Sequence, residues 1–232
     1  MVSTGSNSPL IYLVAGEASG DILGSRLMRA LKQLCPQVRF AGVGGPLMIQ
    51  EGLISLFPMT EISLMGLVEI IPHILHIFKR LTQTQKHILT LKPDVVVTID
   101  SPGFSFRLAK RLKGHVKTLV HYTAPTVWAW KPKRAAKIAK TYDHLLALFP
   151  FEPPYFEREN LPCTFVGHPL IEMDLGELDK TLFRTTYNIT PQTPLICCFL
   201  GSREGEVAKL LPMFLETLPL LQMKFPTLEV VF

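Results

Sequence analysis

Eight short runs of aliphatic and β-branched residues recur along the chain: 10–15 (LIYLVA), 38–43 (VRFAGV), 94–99 (DVVVTI), 117–122 (KTLVHY), 144–149 (HLLALF), 164–166 (TFV), 194–200 (PLICCFL) and 228–232 (LEVVF). Most are separated by stretches with helical spacing. Runs this continuously apolar, without the polar alternation of a half-exposed strand, suit strands covered on both faces, as in a parallel sheet with helices above and below. The pattern predicts a doubly wound α/β fold. Composition supplies the means, because 47% of the 232 residues are hydrophobic, enough for one large core or two modest ones. That excludes a disordered chain.

No uninterrupted apolar run reaches the roughly 18 residues of a membrane span, and the opening MVSTGSNSPL lacks the basic and apolar regions of a secretory signal. A cytoplasmic location is expected. Cys35, Cys163, Cys197 and Cys198 lack metal-ligand spacing and are expected to be reduced, packed thiols. A formal charge of +5 favours anionic partners, whether phosphate esters, an acidic lipid surface or nucleic acid. Pro-rich PFEPPY at 150–155 and GHPLIEMDLGELD at 167–179 interrupt the alternation, and a fresh strand-loop-helix unit begins at Pro194. Two domains follow, 1–168 and 169–232. The second is too short to bury a core of its own and is expected to be the start of a longer domain.

In a doubly wound sheet, ligands collect where strands end and helices begin. The loop from Gly16 to Asp21 in LVAGEASGDILG is such a place. Gly16 and Gly20 permit close backbone approach, while Ser19 or Asp21 can cap the helix that carries Leu23, Leu27, Ala30, Leu31 and Leu34 on one face. Free amides there suit an anion or polar ligand, or the loop is an ordinary capped turn. The spacing is not the dinucleotide fingerprint. Glu17 would repel phosphate and suits a sugar hydroxyl or an amide. GVGGP at 42–46 is either a backbone platform or a tight turn. Asp100, in IDSPGF at the end of an expected central strand, either caps the next helix or serves as a general base.

HYTAPTVWAWKPKRAAKIAK at 121–140 holds both tryptophans, Trp128 and Trp130, as core fillers or as walls of a cleft, with Tyr122 just before them. Lys131, Lys133, Arg134, Lys137 and Lys140 follow with no acid among them, and Arg107, Lys110, Arg111, Lys113 and Lys117 add to a basic surface. Nucleic acid fits poorly, because the aromatics precede the basic run instead of interleaving with it. Residues 62–81 are the most apolar stretch, yet Glu69, Pro72, His73 and His76 argue against a bilayer span. It is either a core helix or an interfacial one whose Met65, Leu67, Val68, Ile71, Ile74, Leu75 and Phe78 meet lipid. His73 and His76 alone do not make a metal site. In FLGSREGEV at 199–207, Ser202 forms the turn, and Arg203 either reaches a pyrophosphate or pairs with Glu204 or Glu206.

Taken in order, LVAGEASGDILG, GVGGP, MGLVEI, IDSPGF, HYTAPTVWAW, LFPFE, FVGHP and LGSREGEV resemble the lipid-A-disaccharide synthase family over residues 11 to about 230. The resemblance implies a GT-B fold with two Rossmann-like domains, the second truncated in this chain. It implies inverting glycosyl transfer without metal or other cofactor. The substrates implied are UDP-2,3-diacylglucosamine and 2,3-diacylglucosamine 1-phosphate (lipid X), giving the β(1→6) disaccharide 1-phosphate and UDP. By that resemblance Asp100 is the base and Arg203 serves the UDP side. Gly16, Glu17, Ser19, Gly20, Asp21, Tyr122, Trp128 and Ser202 join it as substrate-binding residues. Peripheral contact with the cytoplasmic face of the inner membrane is implied, a homo-oligomer is left open, and no nucleic-acid partner is expected. Gly103 stands where family members commonly carry a second acid. The rival readings are a UDP-N-acetylglucosamine 2-epimerase-like enzyme and a non-catalytic module binding lipid or nucleotide sugar.

Overall fold

The structure, a computed structural model, describes residues 8–63, 67–129, 133–172, 179–201 and 204–232, with the side chains of 67–74, 172, 180 and 204 left aside. Met65, Trp130, Ser202 and Arg203 lie outside the described residues, as do the side chains of Leu67, Val68, Ile71 and Ile74. The chain divides into two compact units, Met1–Glu172 and Met173–Phe232. The single turn Pro169–Glu172 therefore goes with the first unit, where Arg26 donates to the Pro169 carbonyl, and the division falls four residues later than the composition suggests.

Each of the eight apolar runs overlaps a strand: β1 (Leu10–Ala15), β2 (Arg39–Val43), β3 (Val95–Ile99), β4 (Leu119–Tyr122), β5 (His144–Ala147), β6 (Cys163–Phe165), β7 (Leu195–Cys197) and β8 (Glu229–Val231). The first six form one parallel sheet in the order β2-β1-β3-β4-β5-β6. Alternate residues of β1 feed two separate cores, as the two-residue period of a strand requires. Ile11, Leu13 and Ala15 pack on one face with Leu23 and Met28 of α1 (Ala18–Leu34) and Met48 of α2 (Pro46–Gln50). Tyr12 and Val14 pack on the other with Leu81 and Ile88 of α3 (Leu67–Leu91), Leu108 and Leu112 of α4 (Pro102–Leu112) and Ile138 of α5 (Arg134–Ala139). Phe156 of α6 (Pro153–Glu157) closes the same core near β6.

Helix α3 runs ten residues past the apolar stretch that announces it, because Leu81, Thr84 and Ile88 continue one buried stripe at helical spacing. Its Leu75 and Phe78 face outward, 82% and 44% exposed. Against the expectation of packed thiols, Cys197 is exposed and Cys35 half-buried; Cys163 and Cys198 are buried, and burial pushes the Cys163 thiol up to about 12. In the second unit α7 (Lys180–Thr186) is capped by Asp179, which accepts from the Thr181 amide, and α8 (Glu204–Lys224) connects the parallel pair β7 and β8. Phe199, Leu220 and Met223 of this unit are exposed.

Candidate active site

The chain leaves β1 toward β2 on one side, while β3 and its successors lie on the other, so the order of winding reverses between β1 and β3. Crevices form at such reversals, beyond the carboxyl ends of the strands. Gly16–Ser19 follow β1 there, and Asp100–Ser101 follow β3.

Asp100 and Ser101 both take left-handed backbone conformations, φ +51° and +45°. For residues with a Cβ each costs on the order of 1 kcal/mol, with Asp among the more tolerant types. Tertiary bonds hold the turn in place. The Asp100 amide donates to the Tyr122 carbonyl at 2.6 Å, and Ser105 Oγ donates to the Asp100 carbonyl at 2.8 Å. The side chain is thereby turned toward α1, where Ser19 Oγ donates to Asp100 Oδ2 at 2.8 Å. Asp100 is half-exposed and Ser19 exposed, and among the described residues no other group bonds this carboxylate. It is neither sealed in the core nor saturated by amides.

The two loops touch. A Cβ on Gly16 would lie 2.6 Å from Ser101 Oγ and 2.8 Å from Ser101 Cβ, so only glycine lets the β1 loop rest against the β3 turn. Gly20 brings α1 close to β3, its Cβ position 3.4 Å from the Ile99 carbonyl. Glu17 is the N-cap residue of α1, with extended backbone and no capping bond from its side chain.

Two expected substrate contacts are corrected. Asp21 neither caps α1 nor opens to solvent: it is 2% exposed, and its oxygens accept the amides of Gly45, Leu47 and Met48 at 2.9–3.0 Å. It caps α2, whose first amides have no partner within that short helix. Tyr122 is buried in the core beneath α1, and its contribution to the site is the carbonyl that anchors Asp100. Trp128, in contrast, is 44% exposed and meets Phe151 edge to face at 5.2 Å. Phe151 stacks on Phe149 at 5.6 Å, and Phe149 on His168 at 5.9 Å. This aromatic shelf lies beyond the carboxyl ends of β4, β5 and β6. Phe149, Phe151 and His168 stand in the motifs LFPFE and FVGHP, which the sequence did not single out as candidate site residues; the signal was two phenylalanines flanking Pro150 in a turn.

Beside the β2 loop an apolar hollow of about 800 Å³ is lined by Gly44, Pro46, Ile49, Ile54, Phe57 and Met59, among others. It adjoins the crevice through the single turn Met59–Ile62, whose Ile62 side chain comes within 3.7 Å of where a Gly16 Cβ would stand. Glu61 ties that turn to α3: its bond from Arg80, joined by one from His76, holds the carboxyl below the ordinary carboxylate range. His76 is thus engaged, and among the described residues no group of three or more His, Cys, Asp or Glu is arranged to hold a metal ion. No helix among them is long and apolar enough to cross a membrane.

The sequence pattern of the lipid-A-disaccharide synthetase family matches residues 11–232. A lipid-A-disaccharide synthase of Rhodospirillum centenum is 53% identical over 225 residues, covering 96% of this chain and 56% of its own length. That of Ruegeria pomeroyi is 50% identical over 207 residues, 88% and 51% of the two chains. This chain therefore spans about half the length of these curated relatives. Among solved structures, the S. aureus MnaA-UDP co-structure matches with a TM-score of 0.62 at 14% identity, over 96% of this chain and 60% of that one. UDP-GlcNAc 2-epimerase from Neisseria meningitidis bound to UDP-GlcNAc matches at 0.57 and 12% identity, over 96% and 64%. Likeness at so low an identity shows the fold, which is of the GT-B type, and leaves the chemistry to the site and the sequence. Both the sequence match and the curated relatives agree: the chain belongs to the lipid-A-disaccharide synthase family.

Proposed function

We propose that the full-length protein is the inverting glycosyltransferase that joins UDP-2,3-diacylglucosamine to 2,3-diacylglucosamine 1-phosphate, with Asp100 as the base. The observation that carries this reading is the open Asp100 carboxylate, aimed by Ser19 at 2.8 Å into the crevice of a chain with this family membership. An acceptor hydroxyl attacks the anomeric carbon on the face opposite UDP. The new carbon–oxygen bond forms as the bond to the diphosphate breaks, the hydroxyl proton passes to Asp100, and UDP leaves with the bonding pair. A carboxylate suits this step because it has only to accept the proton as the new bond forms. Gly16, Glu17, Ser19, Gly20 and Trp128 border the bound sugars, and Ser202 and Arg203 serve the diphosphate. The apolar hollow and the outward Leu75 and Phe78 offer surface for acyl chains, consistent with an enzyme that works against the cytoplasmic face of the inner membrane without spanning it.

Asp100→Asn in the full-length enzyme tests the reading without disturbing the turn, since Asn is as comfortable as Asp in the left-handed region. Disaccharide formation, followed by mass, is expected to fall 10²- to 10⁴-fold while substrate affinity and Tm hold. Retained turnover, or loss of folding in parallel with activity, overturns the assignment of Asp100 as base.

A further inference from the structure

Away from the crevice, the outer helices of the first unit share an unusual charge pattern. Beyond Glu69, α3, α4 and α5 contain Lys79, Arg80, Lys86, Arg107, Lys110, Arg111, Arg134 and Lys137 and no acid at all. Between α4 and α5 this surface dips into a cavity of about 130 Å³ lined by Lys110, Arg134, Lys137 and Thr141 over the rings of Phe106 and Tyr142. Among the described residues its wall holds three cations and no carboxylate, and neither Lys110 nor Lys137 has an ion-pair partner. Lys110 and Lys137 are exposed beside this cavity, and cations grouped on one wall draw an anion to it. The floor is fixed. The Tyr142 hydroxyl points inward to Thr98 Oγ1 at 3.0 Å, and the Phe106 ring stands edge to face with Tyr142 at 5.8 Å.

From the charge and the size together we infer that this cavity binds a phosphate group. Small-molecule pockets run to roughly 300–1,000 Å³, so a nucleotide sugar does not fit. A water occupies about 30 Å³, so a tetrahedral oxyanion with a water or two does. Lysines serve such a group as mobile point charges and the guanidinium of Arg134 as a planar donor. The group is either the phosphate of a membrane lipid headgroup or a free phosphate, and the cavity's chemistry is the same for both. This site is separate from the crevice at β1 and β3 and does not rest on the function proposed above.

The test uses the full-length protein, its Lys110→Gln/Lys137→Gln variant, a Lys110→Arg/Lys137→Arg variant that keeps the charge, and Lys92→Gln/Lys140→Gln as a control of equal charge loss outside the cavity. Inorganic phosphate, compared with chloride at the same ionic strength, is expected to raise the Tm of the wild type, the arginine variant and the control, and not that of the glutamine variant. Flotation with vesicles of phosphatidylglycerol and phosphatidylcholine then separates the sources. For a headgroup site the glutamine variant binds about 30-fold less than the control, from the loss of two cations near an anionic surface. For a free-phosphate site the two bind vesicles equally. A phosphate response that is absent from the wild type, or that survives in the glutamine variant, overturns the inference.

Discussion

At the scale of single residues, Gly16 decides how the crevice is built. With a methyl placed 2.6 Å from Ser101 Oγ, Gly16→Ala has no rotamer to escape into, so the β3 turn must move and carry Asp100 with it. Displacements of about an ångström at reacting groups cost on the order of 100-fold in rate. Gly16→Ala is expected to lower turnover by that order with a Tm drop of a few degrees, read by a disaccharide assay beside a melting curve; full activity in a folded variant shows that the contact does not matter. Asp100 itself was legible in the sequence, because a carboxylate closing a run of β-branched residues before Pro-Gly belongs at a strand end. Its partner was not. Ser19 lies 81 positions earlier, and only the pairing of β1 with β3 brings the two together.

Among elements, the joint between α1 and α2 rests on Asp21. Its buried carboxylate takes three amides at the start of α2, and Gly45 leaves room for it, since a Cβ there would stand 2.5 Å from Oδ2. Removing the acceptor strands buried donors, so Asp21→Ala should destabilise the chain by about 3 kcal/mol, with Asp21→Asn losing less. Urea unfolding measures both; a change under about 0.5 kcal/mol for the alanine variant, the scale of an ordinary surface substitution, contradicts the capping role. From the sequence, Asp21 reads as a cap for its own helix, the commonest use of such a residue. The partner α2 is five residues long, and its need for an external cap is invisible until the fold places it beside α1. The strands were easier: continuous apolar runs survive any local ambiguity, while the phenylalanines that extend Trp128 into an aromatic shelf, Phe149 and Phe151, hide in a Pro-rich turn that carries no period.

Across the whole molecule, the sheet encloses a polar network that makes its stability depend on acid. His121, wholly buried on β4, shares Thr98 Oγ1 with Tyr142, and burial lowers the His121 pKa from 6.5 to about 3. The unfolded chain therefore binds a proton that the folded chain refuses. Stability from this group is complete above about pH 6.5 and is lost as pH falls toward 3, at about 1.4 kcal/mol for each pH unit in between. Urea unfolding free energies should show that slope between pH 4 and pH 6 and level off above pH 7, and His121→Asn should flatten it; an unchanged slope in the variant assigns the acid sensitivity elsewhere. The same sheet also governs the carboxylate at position 100. Its amide is held by β4, its carbonyl by α4 and its side chain by α1, segments that meet only when the winding is complete. The carboxylate is thus preorganised: the entropy of orienting it is surrendered during folding, and whatever enters the crevice encounters a group that has already stopped searching.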